Sequence, residues 1–221
     1  MDTLTLLTTR RSNKKLIAPA PNKEQLEQIF QAALRAPDHG KLQPYHFVVI
    51  EHEGLNKLEM LLKDAVLELK LGEDKLKKAE NLAHRAPMVI AVIAKITPDA
   101  DKVPKWEQLI TAGCASYGIQ LAANAQGFDN VWLTNKWVKG SALRRALDCR
   151  EQDEIVALLM IGTAAEKAER EAKEKAEKAA TDKAEREAKE KADKTDADKA
   201  EHEAKEKAAK TEAEKETAKK K

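Results

Sequence analysis

Residues 35–51 read Arg35-Ala-Pro-Asp-His-Gly-Lys-Leu-Gln-Pro-Tyr-His-Phe-Val-Val-Ile-Glu51. The stretch leaves a helix near Arg35 and crosses a loop punctuated by Pro37, Gly40 and Pro44. It enters an apolar strand at His46. The loop gathers a cation, an imidazole and an amide in Arg35, His39 and Gln43. Loops held on a rigid scaffold are where binding residues collect. The same residues also suit an ordered turn, with Arg35 at its helix C-terminus and Pro44 opening the strand. Residue types and spacing leave both readings open.

Upstream, Asn22 can cap a helix with Gln25 three residues on, and Leu26, Ile29, Phe30, Ala33 and Leu34 form its apolar stripe until Pro37 ends it. Asp2 to Thr9 reads as a short helix. Downstream, Leu55–Leu71 is an amphipathic helix with Leu58, Leu61, Leu62, Ala65, Val66 and Leu69 inward, followed by a charged helix over Glu73–Ala83. The segment Met88–Ala94 is too apolar for an exposed sheet edge. Glu107–Gln126 is a helix rich in small residues, which permits close packing in a core or at a subunit interface, and it makes Cys114 a packed thiol. Asn130–Thr134 and Ile155–Ile161 are further strands, and Ser141 caps a helix through Leu147. Helices and strands mix without regular β-α-β alternation, which points to an α+β fold.

The chain has 221 residues, with 40 Lys+Arg against 38 Asp+Glu. So small a net charge argues against coating nucleic acid or an acidic membrane. The longest apolar run, Met88–Ala94, is far short of the ~20 residues of a membrane span. The first nine residues carry no apolar core of a secretory signal. Two cysteines, Cys114 and Cys149, make no disulfide framework, so the expected compartment is a reducing cytoplasm.

The averages conceal two pieces. Residues 164–221 contain only Ala, Glu, Lys, Arg, Asp, Thr and one His, with 18 basic and 18 acidic side chains. Such a segment cannot bury a core, so the fold is sought in residues 1–163. The tail repeats with a period of 16: Lys167-Ala-Glu-Arg-Glu-Ala-Lys-Glu-Lys-Ala returns at Lys183 and, with His202 for Arg, at Lys199. Glu-to-Lys pairs at i,i+4, such as Glu169/Lys173 and Glu185/Lys189, support a helix. Alanine makes a poor coiled-coil seam. The tail reads as a single solvated helix, as a disordered segment that turns helical, or as a helix that binds a protein partner.

Several chemistries lack their motifs. There is no Gly-x-Gly-x-x-Gly, no phosphate-binding Gly-x-x-x-x-Gly-Lys-Ser/Thr and no Gly-x-Ser-x-Gly elbow. The histidines are scattered and no zinc spacing occurs. Besides the Arg35–Phe47 loop, two segments stand out. Thr9-Arg-Arg-Ser12 sets two guanidinium forks beside a hydroxyl; this suits a phosphate monoester and equally a solvated surface patch. Ala125-Gln-Gly-Phe-Asp-Asn-Val-Trp-Leu-Thr-Asn135 joins the small-residue helix to a strand, where Trp132 fits either a core or a cofactor.

Together these segments resemble the nitroreductase-like FMN flavoprotein family, in its short YdjA-like branch. The likeness rests on Arg10-Arg-Ser12, on Arg35-Ala-Pro-Asp-His39 with Gln43-Pro44 and His46-Phe47, and on Arg85-Ala-Pro87. It continues through Val103–Gln108, Ala123–Phe128, Cys149–Asp153 and Ile161–Thr163. The resemblance implies an α+β homodimer with FMN at the subunit interface. Arg10, Arg11 and Ser12 would hold the phosphate and ribityl side. Arg35 and His39 would reach the flavin from the partner subunit, and Val131, Trp132 and Leu133 would line it. Leu121, Ala122, Ala123, Asn124, Ala125 and Gln126 correspond to the segment assigned to NAD(P)H. The implied activity is ping-pong hydride transfer from NAD(P)H to a small electron-poor acceptor such as a nitroaromatic or a quinone. The alternatives are a flavoenzyme acting on enones or halogenated aromatics, and a flavin-binding scaffold without catalysis whose tail recruits partners. The chain departs from many members at Trp132-Leu-Thr-Asn135, where they carry Trp-Arg/Lys-Ser/Thr-Gly, and in the repeat that follows Thr163.

Overall fold

The computed structural model describes residues 2–100 and 102–170, with positions 172, 173, 176 and 181. The chain divides into two units, Met1–Ala168 and Glu169–Lys221, and the sheet with its helices belongs to the first. The single-helix expectation for the repeat falls almost wholly outside the described residues; residues 165–170 are helical.

Up to Ala164, the described helices and strands alternate irregularly: α1 (Thr3–Thr9), β1 (Leu16–Ile17), α2 (Lys23–Ala33), β2 (His46–Glu51), α3 (Glu53–Glu68), α4 (Glu73–Leu82), β3 (Met88–Ala94), α5 (Lys105–Ala125), β4 (Asp129–Leu133), α6 (Ser141–Ala146) and β5 (Glu154–Ala164). Short 3₁₀ turns cover His39–Lys41 and Lys136–Lys139. The helix starts follow from local chemistry. The Asp2 carboxylate accepts the Thr5 amide at 3.0 Å. The Asn22 side chain takes the Gln25 amide while Gln25 returns a bond to the Asn22 N–H, both at 2.9 Å.

All strand pairs are antiparallel. β5 is the hub: β3 lies along one side, and β4 (Asp129↔Gly162 to Leu133↔Leu158) and β1 (Leu16↔Ala164) lie along the other. β2 pairs only with β3 and forms an edge, so the expectation of a buried strand there is corrected: its middle residues are half-buried and its ends exposed. β3 is buried along its whole length, as its composition requires.

The sheet has a core on each face, and strand alternation sorts the residues between them. Val89, Ala91 and Ile93 of β3 join Leu58, Leu62 and Val66 of α3 and Leu143 of α6. Met88, Ile90 and Val92 meet Ile29 of α2 and Ala115, Ile119 and Ala123 of α5. Glycine permits close approach where α6 starts, since a Cβ on Gly140 would clash with the Ala65 Cβ of α3, and at two further points. A Cβ on Gly118 would stand 3.3 Å from the Ala33 Cα where α5 crosses α2, and one on Gly162 would come within 2.7 Å of Pro87 and 2.9 Å of the Ile17 carbonyl.

A buried latch joins the ends of β3 and β5. Asp153, fully buried, accepts the amides of Ile96 and Arg150, two bonds from the Arg150 guanidinium and a contact from Lys95 at 3.1 Å. Burial alone would raise its pKa. The bonds from Arg150, Ile96 and Lys95 outweigh it and hold the carboxyl well below the usual carboxylate range.

Two expectations fail on α5 and α2. Cys114 is exposed, not packed, because it faces away from the sheet. Leu34 caps α2 and is 48% exposed.

Candidate functional site

The sequence-predicted residues fall in two regions. The first is the segment after α1, laid along the start of β4. The amide of Asn13 donates to the Asn130 carbonyl at 3.0 Å, and its Nδ2 donates to Asp129 Oδ2 at 2.8 Å. Its Oδ1 accepts the Lys15 amide at 2.9 Å. Arg10 is half-buried here, while Arg11 and Ser12 are exposed. The Arg10 Nε and Nη2 are buried and meet no hydrogen-bond acceptor among the described residues. Buried N–H donors without an acceptor are costly, and an oxyanion is the partner that suits a guanidinium best. This is the donor set that a phosphate would satisfy.

β4 is itself held from behind. Asn130 is fully buried; its Oδ1 accepts from Gln120 Nε2 at 2.7 Å, and its Nδ2 donates to the Gln120 carbonyl at 3.0 Å. Of the three residues expected to line the flavin, Val131 is buried in the α3 face of the core, whereas Trp132 packs half-buried on the α2–α5 face. Leu133 is half-buried on the same side as Val131. Alternation thus parts the three side chains, and Val131 serves the core.

The second region is the Arg35–Gln43 loop. Asp38, absent from the sequence-predicted set, organises it: its carboxylate accepts the Leu42 amide at 3.2 Å and the Gln43 amide at 2.7 Å. The chain needs that clamp, since Gly40, Lys41 and Gln43 all have positive φ (75°, 53° and 46°). His39 is exposed, and its Nδ1 lies 2.7 Å from Glu107 Oε2. Tyr45 stacks on Phe47 at 5.2 Å, and Phe47 on Phe30 at 5.4 Å, anchoring the loop's exit. Burial pushes the Tyr45 phenol up, and the Asp38 carboxylate adds to that rise.

Arg35 borders an open apolar depression of about 570 Å³ with Pro37, Ile110, Cys114, Tyr117 and Leu121. On the same helix Trp106 is 60%, Ile110 57% and Tyr117 40% exposed. Large apolar side chains so displayed mark a surface that expects cover.

The segment Leu121–Gln126 is the last part of α5 and the residue that caps it. Ala123 is fully buried in the core, Ala122 packs against it, and Ala125 is exposed. Asn124 Nδ2 donates to the Phe128 carbonyl at 2.9 Å, and Gln126 Nε2 to the Gln25 carbonyl at 3.2 Å. The side-chain oxygens of Asn124 and Gln126 are buried without a donor among the described residues. Among the described residues no cluster of His, Cys, Asp and Glu could hold a metal, and no helix is long and apolar enough to cross a membrane.

This geometry has known counterparts. The chain is 72% identical over 173 residues to a Haemophilus influenzae protein named "Putative NAD(P)H nitroreductase", covering 78% of this chain and 94% of that one. It is 44% identical over 163 residues to YdjA of Escherichia coli K12, which carries the same description, with 74% and 88% covered. Its fold matches the FMN-dependent nitroreductase of Clostridium difficile R20291 with a TM-score of 0.55 at 24% identity, over 74% of this chain and 88% of the other. The family model described as "Nitroreductase family" matches residues 7–163, which span α1 to the end of β5 and hold both regions of the site, and the chain therefore belongs to the nitroreductase family.

Proposed function

We propose that the chain is an FMN-dependent oxidoreductase that uses NAD(P)H to reduce electron-poor acceptors. The observation that carries the reading is the half-buried Arg10, whose Nε and Nη2 are buried and meet no acceptor among the described residues. The names of the relatives support the same reading: both sequence relatives are described by NAD(P)H nitroreduction, and the Clostridium structure by FMN.

Arg10, with Arg11 and Ser12 next to it, would hold the phosphate; Trp132, half-buried on the α2–α5 face of β4, would flank the ring. FMN, when bound, would supply the hydride-transfer chemistry between NAD(P)H and the acceptor. The protein's part is to fix the phosphate, exclude water and place positive charge. In the Leu121–Gln126 segment, the idle oxygens of Asn124 and Gln126 are acceptors suited to hydroxyl or carboxamide donors of NAD(P)H. The apolar stripe Trp106–Ile110–Tyr117 and the depression beside Arg35 support a homodimer formed on this face of α5. Such a dimer would bring Arg35 and His39 of the partner subunit to the flavin.

The test is the visible absorbance spectrum of the purified full-length protein, followed anaerobically through addition of NADPH and then NADH. A flavin spectrum that bleaches supports the reading. A bound flavin that stays oxidised removes the reductase activity, and failure to take up added FMN removes the cofactor.

A further inference from the structure

We infer that Asn13 is a positioning residue for the anion site of Arg10. The inference rests on the reading of Arg10 as the phosphate ligand and adds a residue that the motif does not contain.

Asn13 lies three residues after Arg10, and its backbone N–H and both side-chain polar atoms are engaged. The backbone N–H holds the Asn130 carbonyl at 3.0 Å, Nδ2 holds Asp129 Oδ2 at 2.8 Å, and Oδ1 takes the Lys15 amide at 2.9 Å. The anchor on the other side is rigid. Asn130 is fully buried and doubly bonded to Gln120, itself 3% exposed, on the central part of α5. A continuous chain of hydrogen bonds therefore runs from α5 through β4 to Asn13, the residue that follows Arg10–Ser12. Downstream, β1 adds two residue pairs to β5. Upstream, α1 has no buried residue. The Arg10 amide caps α1 on the Leu6 carbonyl at 3.0 Å, and Asn13 is what ties the segment between α1 and β1 to β4.

The second effect is electrostatic. Asp129 is a carboxylate in the immediate neighbourhood of a cluster meant to hold an anion. Asn13 gives it a neutral partner, so its charge is engaged without use of an arginine. Arg10 Nε and Nη2 then stay without an acceptor among the described residues. A guanidinium held within a fraction of an ångström binds a phosphate in two-pronged fashion; one on a loose tether does not.

The experiment compares FMN with riboflavin, which lacks the phosphate, by fluorescence titration of the full-length apoprotein. In Asn13→Ala the FMN affinity should fall about 10-fold while riboflavin affinity stays within 2-fold. In an Arg10→Ala background the same change should have little further effect, because its target is gone. Asp129→Asn, whose amide oxygen can still accept from Asn13, should keep most of the FMN preference, and Asp129→Ala should lose it. Unchanged FMN affinity in Asn13→Ala, or equal loss of FMN and riboflavin, overturns the inference. If Arg10→Ala itself leaves the FMN preference over riboflavin intact, the phosphate assignment fails instead. Should Asn13→Ala not fold, the pair of Asp129 variants decides the question through the same ratio.

Discussion

His39 Nδ1 and Glu107 Oε2 stand 2.7 Å apart, joining the Asp38-clamped loop to the first turn of α5 across 68 positions of sequence. The contact fixes the imidazole's direction, since one ring nitrogen is committed and Nε2 is left to face outward. The pair is largely exposed, with side-chain exposures of 59% and 28%, so its worth to global stability is small. Glu107→Ala should therefore leave the thermal midpoint nearly unchanged and still weaken FMN binding several-fold. Calorimetry beside FMN titration checks it; a large fall in the midpoint would make the pair structural.

Arg10→Ala should weaken FMN binding by roughly 1.5–3 kcal/mol, the scale of a charge-assisted hydrogen bond. Stability of the apoprotein should hold or rise, because removing the side chain also removes two unpartnered buried donors. Titration and denaturant unfolding of the same variant separate the two effects; unchanged affinity sinks the assignment.

Asp153→Asn should destabilise the fold by about 3 kcal/mol, since the buried acceptor of five donors loses its charge. The sign with pH follows from the depressed folded pKa. The unfolded carboxyl titrates near 3.9, so the latch contributes fully above about pH 5 and is lost as pH falls below that value. The wild type should lose stability on acidification over that range, and Asp153→Asn should show a flatter profile by urea unfolding.

Tyr117→Asp, on the exposed stripe of α5, should leave the chain folded and break the proposed homodimer, read as a fall in mass by light scattering; a wild type that is itself monomeric overturns the proposed interface. It should also lower FMN affinity, as a site completed by a partner subunit requires. A variant that remains dimeric would place the interface elsewhere.

Much of this fold was legible because its signals are local. The Asn22–Gln25 capping box and the apolar run Met88–Ala94 are each contained within a few residues, and both occur as expected. What the sequence hides is long-range. Leu16–Ile17 is two residues of strand whose only warrant is Ala164 and Thr163, far along the chain. β5 outruns the expected Ile155–Ile161 because Gly162 and Thr163 are recruited by β4 and β1, not by their own β-propensity. The run Phe47–Ile50 looks buried although it forms an edge, since half-burial beside α3 asks for the same residues. Cys114 was misjudged because small residues populate both faces of α5. In the site, Thr9–Ser12 and the Arg35–Phe47 loop were visible as residue types. Asn13, Asp38 and Glu107 were not, because nothing about a lone Asn, Asp or Glu announces a partner on another element.

β5 is the partner of three of the other four strands, yet it is the last of the five to be made. On the ribosome, β2 and β3 can pair early, while β1 and β4 must wait for Glu154–Ala164 to emerge. Until then the nascent chain presents an incomplete sheet and two bare core faces, the kind of species that chaperones attend. The sheet can therefore close only once Glu154–Ala164 is available to both β3 and β4.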